Sequence, residues 1–243
     1  MRVATLYDIH GNLPALEAVL EEIGEVDQIV VGGDVVPGPM PRETLDRLLS
    51  LDFPVQFIHG NGEIAVLAEA AGRDPGVPPQ VREAVRWNAE QLGPEYVRLL
   101  ASWPKTVQLQ INGLGQLLFC HATPRNENEI FTRVTPEKTV EAIFEQLDVN
   151  VVICGHTHMQ FDRTVGTTRI VNAGSVGMPF GVPGAYWLLL EHDVELRYTR
   201  YDLTAAAQRI RNTSYPQAEE FAARNILQPP TEKEMLELLS RQD

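Results

Sequence analysis

The chain has 243 residues, 44% of them hydrophobic and 22% charged, with a formal net charge of −13. Such a length and balance suit one medium globular domain with a substantial core. They exclude a broad basic surface for duplex nucleic acid or an anionic membrane, and no run of eighteen apolar residues offers a transmembrane helix.

In chain order, the opening RVATLYD is rich in β-formers and reads as a first strand, not a signal peptide, because Asp8 cuts the apolar run short. LPALEAVLEEI follows with Leu13, Leu16, Val19, Leu20 and Ile23 at helical spacing. DQIVVGGD predicts a buried parallel strand, PRETLDRLLSL a helix with proline at its start, and FPVQFIHGN a third strand. The first sixty residues thus read β-α-β-α-β, with polar residues at each strand's C-terminal end, where sites of open α/β sheets collect.

Residues 63–102 predict a helical, cap-like segment interrupted at GRDPGVPP. TVQLQINGLGQLLFCHATP predicts a hairpin around NGLG. TPEKTVEAIFEQL predicts a helix with Thr135 as N-cap and Pro136 at its first position. NVVICGHTH is a buried strand entering a polar loop. Short β-runs then follow up to VELRYTRYD, and a helical tail over 203–243 ends in an amphipathic helix. All of 1–243 is expected to form a single domain. Cys120 and Cys154 close apolar runs; two cysteines in this length make no disulfide framework, so buried thiols in a reducing cytoplasm are expected.

The strand ends collect Asp8, His10, Asp34, Asn61, His121, His156 and His158. Imidazole with carboxylate suits zinc, iron or manganese. Seven ligands exceed what one tetrahedral ion takes, and two ions sharing a carboxylate use them economically. Each short motif alone is weak. Their joint occurrence is harder to explain structurally, because a buried cluster of four imidazoles and two carboxylates without a cation carries a heavy desolvation cost.

The ordered motifs D8-x-H10, G33-D34, G60-N61, H121 and G155-H156-T157-H158 resemble the calcineurin-like metallophosphoesterase superfamily. DIHGN, GGDVVPGP and VNAGSVGMP are most similar to its small bacterial and archaeal phosphodiesterase branch. The resemblance covers residues 8 to about 179 and implies an α/β fold, a four-layer α/β/β/α sandwich of two mixed sheets flanked by helices. It also implies a dinuclear site in which Asp8, His10 and His158 bind one divalent ion, Asn61, His121 and His156 bind the other, and Asp34 bridges them. Mn, Fe, Zn, Ni or Co all suit these ligands. Asp34, Asn61 and His121 become the catalytic set, acting on a small phosphoester through a hydroxide held between the ions. Asn12, Glu63 and the loop from Asn172 to Gly177 become supporting groups; Asn12 serves equally as a helix N-cap.

Many members of the superfamily follow the asparagine with a histidine that protonates the leaving oxygen, whereas this chain has Gly62. That departure implies a preference for leaving groups needing little protonation, aryl or nucleotide phosphates among them. His59 is the alternative acid, although strand alternation points it away. Arg125 and Asn126, just after His121, read either as substrate-binding groups or as a solvated loop; Arg133 is a weaker candidate. Trp87, Trp103 and Trp187 read as core residues. Two other functions stay open: a phosphoprotein or phosphomonoester phosphatase, and a protein-binding scaffold like the retromer subunit that resembles this branch. The sequence leaves the oligomeric state open.

Overall fold

A computed structural model describes residues 1–145 and 147–241. Its strands are β1 (Val3–Leu6), β2 (Gln28–Val31), β3 (Val55–Phe57), β4 (Thr106–Ile111), β5 (Gly115–Cys120), β6 (Val151–Cys154), β7 (Phe161–Val165), β8 (Thr168–Asn172), β9 (Ala185–Leu190) and β10 (Val194–Thr199). The helices are α1 (Leu13–Ile23), α2 (Pro41–Leu49), α3 (Asn61–Ala70), α4 (Pro79–Ala101), α5 (Glu137–Phe144), α6 (Leu203–Arg211), α7 (Ala218–Phe221) and α8 (Glu232–Leu239), with a π-helical segment at Ala222–Leu227.

The strands form two five-stranded mixed sheets, ordered β10-β9-β1-β2-β3 and β4-β5-β6-β8-β7. In the first, β1 and β2 run parallel with Val3 opposite Gln28, while β9 is antiparallel to β1. In the second, β5, β6 and β8 run parallel and the β4–β5 hairpin and β7 flank them antiparallel. Strand alternation divides the apolar side chains. Val3, Val30, Phe119 and Ile153 meet between the sheets. Ala4, Leu6, Ile29 and Val31 turn outward onto α1 to α4 and α6, while Val152 and Ile170 turn onto α5. The result is the expected helix–sheet–sheet–helix order.

Local chemistry accounts for the boundaries. Asn12 accepts from Ala15 N at 3.2 Å and caps α1. Pro41 opens α2, where the missing N–H costs nothing. Two expectations change. Thr135 does not cap α5; its hydroxyl accepts instead from Thr132 N at 2.9 Å, and Pro136 takes the cap position. The helical reading of 63–102 lacked a second break at Gly93 (φ 65°), just before Pro94, which divides α4. Gln146, in the expected α5, and residues 242–243 of the tail lie outside the described residues.

α3 and α4 contribute Ala65, Val66, Ala84, Val85 and Leu92 to the outer core of the first sheet. From the C-terminal segment, Ala206, Ile210, Phe221, Ala222 and Ile226 join the same cluster. Among the described residues no helix is long and apolar enough to cross a membrane.

Candidate metal centre

Parallel pairing brings the ends of β1, β2, β5 and β6 to one edge. Beyond the strands, backbone bonds keep the loops in step: Asp8 N to Gly33 O at 3.1 Å, His10 N to Asp34 O at 2.8 Å and Gly155 N to His121 O at 2.8 Å. Among the described residues five non-glycine positions have positive φ: Asp8 (54°), His10 (47°), Asp34 (52°), His156 (65°) and His158 (57°). All are candidate ligands. Left-handed backbone at non-glycine positions costs free energy and clusters at functional sites, and here it turns each side chain inward from a strand end.

The inward-facing atoms converge. His158 Nε2 lies 3.3 Å from Asp8 Oδ1 and 3.3 Å from His10 Nε2. His10 Nε2 lies 3.6 Å from Asp34 Oδ2, and His121 Nε2 lies 3.6 Å from Asp34 Oδ1, so the two oxygens of Asp34 face different imidazoles. Asn61 Oδ1 lies 2.9 Å from His121 Nε2. The His156 ring stands edge-on to that of His121, centroids 5.2 Å apart. All seven strand-end residues therefore meet in one place.

Donor atoms of Asp8, His10 and His158 lie within 4.8 Å of one another, and so do those of Asp8, Asp34 and His121. Asp8 Oδ1 belongs to a fully buried carboxylate and has no hydrogen-bond partner. An orphaned buried oxygen needs a physical explanation. A divalent cation supplies one, and neutral imidazoles with carboxylates are a donor set that fits it.

Backbone carbonyls orient three of the rings: Gly32 O to His121 Nδ1 at 2.9 Å, Met178 O to His158 Nδ1 at 2.7 Å and Pro37 O to His10 Nδ1 at 3.3 Å. A proton on each Nδ1 leaves the Nε2 lone pair facing inward. Asn12 donates to Gly177 O at 2.9 Å while its Oδ1 caps α1. Asn172 donates to Gly155 O at 2.6 Å and Thr157 Oγ1 at 3.1 Å, fixing the GHTH loop. Ser175 Oγ donates to Asp8 O at 2.7 Å. Glu63 accepts from Gly60 N (2.7 Å), Asp34 N (2.8 Å) and Val36 N (3.1 Å), tying α3 to the loop after β2.

Burial would raise the Asp8 carboxyl, but His158, with His121 and His10 nearby, holds it below the ordinary carboxylate range. Burial, then the adjacent Asp34 charge, pushes Glu63 up to about 7 against its three N–H donors. Burial, then His121, pushes His156 down to about 4. For His121 and His158 burial is the largest single influence and lowers the pKa, yet the combined pull of Asp8, Asp34 and the carbonyl hydrogen bonds raises both. The carboxylates thus attract positive charge to this spot. A bound cation can supply that charge in place of protons.

Arg125 stands apart: its Nε donates to Glu129 Oε2 at 2.9 Å on an exposed loop. Asn126 uses its side-chain oxygen to accept from Asn128 N at 2.9 Å. Arg133 pairs with Glu232 at 2.6 Å, and His59 Nδ1 lies 4.0 Å from Glu127 Oε1. A cavity of about 410 Å³ opens from His10, Asp34 and Asn61, and none of these four residues lines it. Its walls come from α3, α4 and residues 215–230. No sequence motif marks that wall, since none lies past residue 179.

Residues 1–194 match the calcineurin-like phosphoesterase superfamily domain. The chain belongs to this superfamily. By that membership this calcineurin-like protein is a hydrolase of phosphoester bonds. It is 27% identical over 237 residues to an uncharacterized protein of Methanocaldococcus jannaschii, covering 88% of this chain and 94% of that one. Among solved structures it is similar to a metallophosphoesterase from Sphaerobacter thermophilus (27% identity, TM-score 0.71, 92% of this chain and 99% of that). It shares its fold with a hypothetical protein from Pyrococcus horikoshii (23% identity, TM-score 0.79, 95% of this chain and 99% of that).

Proposed function

We propose that this calcineurin-like protein is a two-metal phosphodiesterase that favours esters with good leaving groups. The observation that carries the reading is the pair of donor clusters sharing Asp8, with Asp34 presenting one oxygen toward each side. Asp8, His10 and His158 would hold one ion and Asn61, His121 and His156 the other, with Asp34 available to both. Manganese is the first ion to try, since imidazole, carboxylate and amide oxygen all suit it. When bound, such ions supply a nucleophilic water near neutral pH and positive charge for the phosphate oxygens.

The chain's own groups do the rest. Carbonyl bonds to Nδ1 keep the His10, His121 and His158 rings aimed inward before substrate arrives. Asn61 presents its amide oxygen to the ion side and keeps its N–H groups for a substrate oxygen. In the reaction a water oxygen bonds to phosphorus, the bond to the leaving oxygen breaks, and that oxygen departs with the electron pair. Low basicity of the leaving oxygen suits this chain because Gly62 offers no side-chain acid. Cys120 and Cys154 are both free and buried, which supports the expectation of a reducing cytoplasm.

A screen of the manganese-loaded chain over bis-phosphodiesters, 2′,3′-cyclic nucleotides, dinucleoside polyphosphates and monoesters tests this. Faster turnover of bis(p-nitrophenyl) phosphate than of alkyl esters is expected. Equal rates on alkyl esters would contradict the leaving-group preference, and monoesters as the fastest substrates would favour a phosphatase. No hydrolysis by metal-bearing chain would favour a scaffold.

A further inference from the structure

We propose that the cavity beside the metal centre receives the leaving group, and that this group is aromatic and carries a second negative charge, as a nucleoside diphosphate does, with Arg224 as its partner. This rests on the phosphoester hydrolysis proposed above. The first ground is continuity: one cavity of about 410 Å³ has His10, Asp34 and Asn61 at one end and Arg224 in its lining. That volume lies in the range of ligand sites, about 300–1,000 Å³.

The second ground is the walls. Val77, Val81, Ala84 and Val85 line the cavity together with Tyr215 and Phe221 from the C-terminal segment. Inorganic phosphate gains nothing from such walls, whereas a planar organic group is desolvated by them. Tyr215 is held edge-on to Trp87, centroids 5.4 Å apart, and Gln217 Nε2 donates to Gln80 O at 2.7 Å. Those contacts join the C-terminal wall to α4 and preform the slot.

The third ground is charge. Arg224 is the one arginine or lysine among the described residues that line the cavity. Among the described residues no carboxylate lies within 4.0 Å of the Arg224 guanidinium, although Glu220 lines the same cavity. A guanidinium free of an internal partner can grip a phosphate through two parallel N–H bonds. Arg224 and Asn225 both sit in the π-helical segment Ala222–Leu227, whose Ala222 and Ile226 are buried. Such segments are frequent at functional sites.

The test is inhibition of bis(p-nitrophenyl) phosphate hydrolysis by a nucleoside diphosphate, by pyrophosphate and by the nucleoside alone. The diphosphate is expected to inhibit at least tenfold more tightly than either fragment. Arg224→Ala should weaken that inhibition at least tenfold, and Arg224→Lys less. Filling the slot with Val81→Trp should weaken the diphosphate but not pyrophosphate. Both side chains are exposed, so the variants are expected to fold, and circular dichroism checks it. Equal inhibition by pyrophosphate, or an Arg224→Ala inhibition constant equal to wild type, would overturn the proposal. If the chain hydrolyses no ester, the function reading fails; calorimetry with the same nucleoside diphosphate then decides the pocket, and absence of Arg224-dependent binding overturns it.

Discussion

Gly62 donates its N–H to Asp34 Oδ1 at 2.7 Å, and a Cβ on it would stand 2.3 Å from Val36 O and 2.8 Å from Pro37 Cδ. The place where many relatives carry histidine is therefore closed by backbone, not left open. Gly62→Ala should destabilise the chain by about 1–3 kcal/mol, the usual cost of overpacking, read from the urea midpoint. Gly62→His should not raise the rate on alkyl esters. Glu63 is as constrained, with three backbone N–H groups on one carboxylate. Glu63→Gln turns an acceptor into a donor facing donors. It should cost about 1–3 kcal/mol and weaken metal affinity roughly 10–100-fold, measured by competition with a chelating dye. Tyr7 ties the two sheets together beneath the site: it is fully buried and donates to Ile153 O at 3.0 Å. Tyr7→Phe should cost about 1 kcal/mol in the same urea experiment.

At the scale of elements, the convergence of the candidate ligands was legible because each apolar run stops at a polar residue that a parallel sheet must deliver to its C-terminal edge. Asp8 and Asp34 follow β1 and β2, which pair directly, so their meeting follows from topology. The cavity wall was not legible. Tyr215 and Phe221 approach Val81 and Ala84 only through tertiary packing, and nothing in the local sequence records a contact spanning over a hundred residues. Arg125 kept two readings in the sequence because proximity to His121 says nothing of Glu129, which holds its guanidinium. The C-terminal elements also differ in what they bury. Ile210, Phe221 and Ile226 lie in the main core, whereas α8 has no buried residue. A chain ending at Pro230 should keep most of its stability. One ending at Asp202 loses three large apolar side chains worth about 1.5–3 kcal/mol each, comparable with a domain's whole net stability of about 5–15 kcal/mol, and should fail to fold cooperatively by circular dichroism.

For the whole molecule, the net charge of −13 coexists with an anionic substrate only if positive charge is supplied locally. Two convergent donor clusters and the orphaned Asp8 oxygen give that charge a place. Ions that bind the folded chain alone stabilise it by mass action, about 2.7 kcal/mol for each site at a hundred times its dissociation constant. Chelation should accordingly lower the melting temperature, and manganese should restore it. The most direct test of the shared centre is to count manganese ions per chain by equilibrium dialysis, in the wild type and in Asp34→Asn. Two ions on the wild type, with at least one lost from the variant, is the expected result. Two ions held by both with equal affinity would contradict the bridging role of Asp34 and the two-metal site built on it.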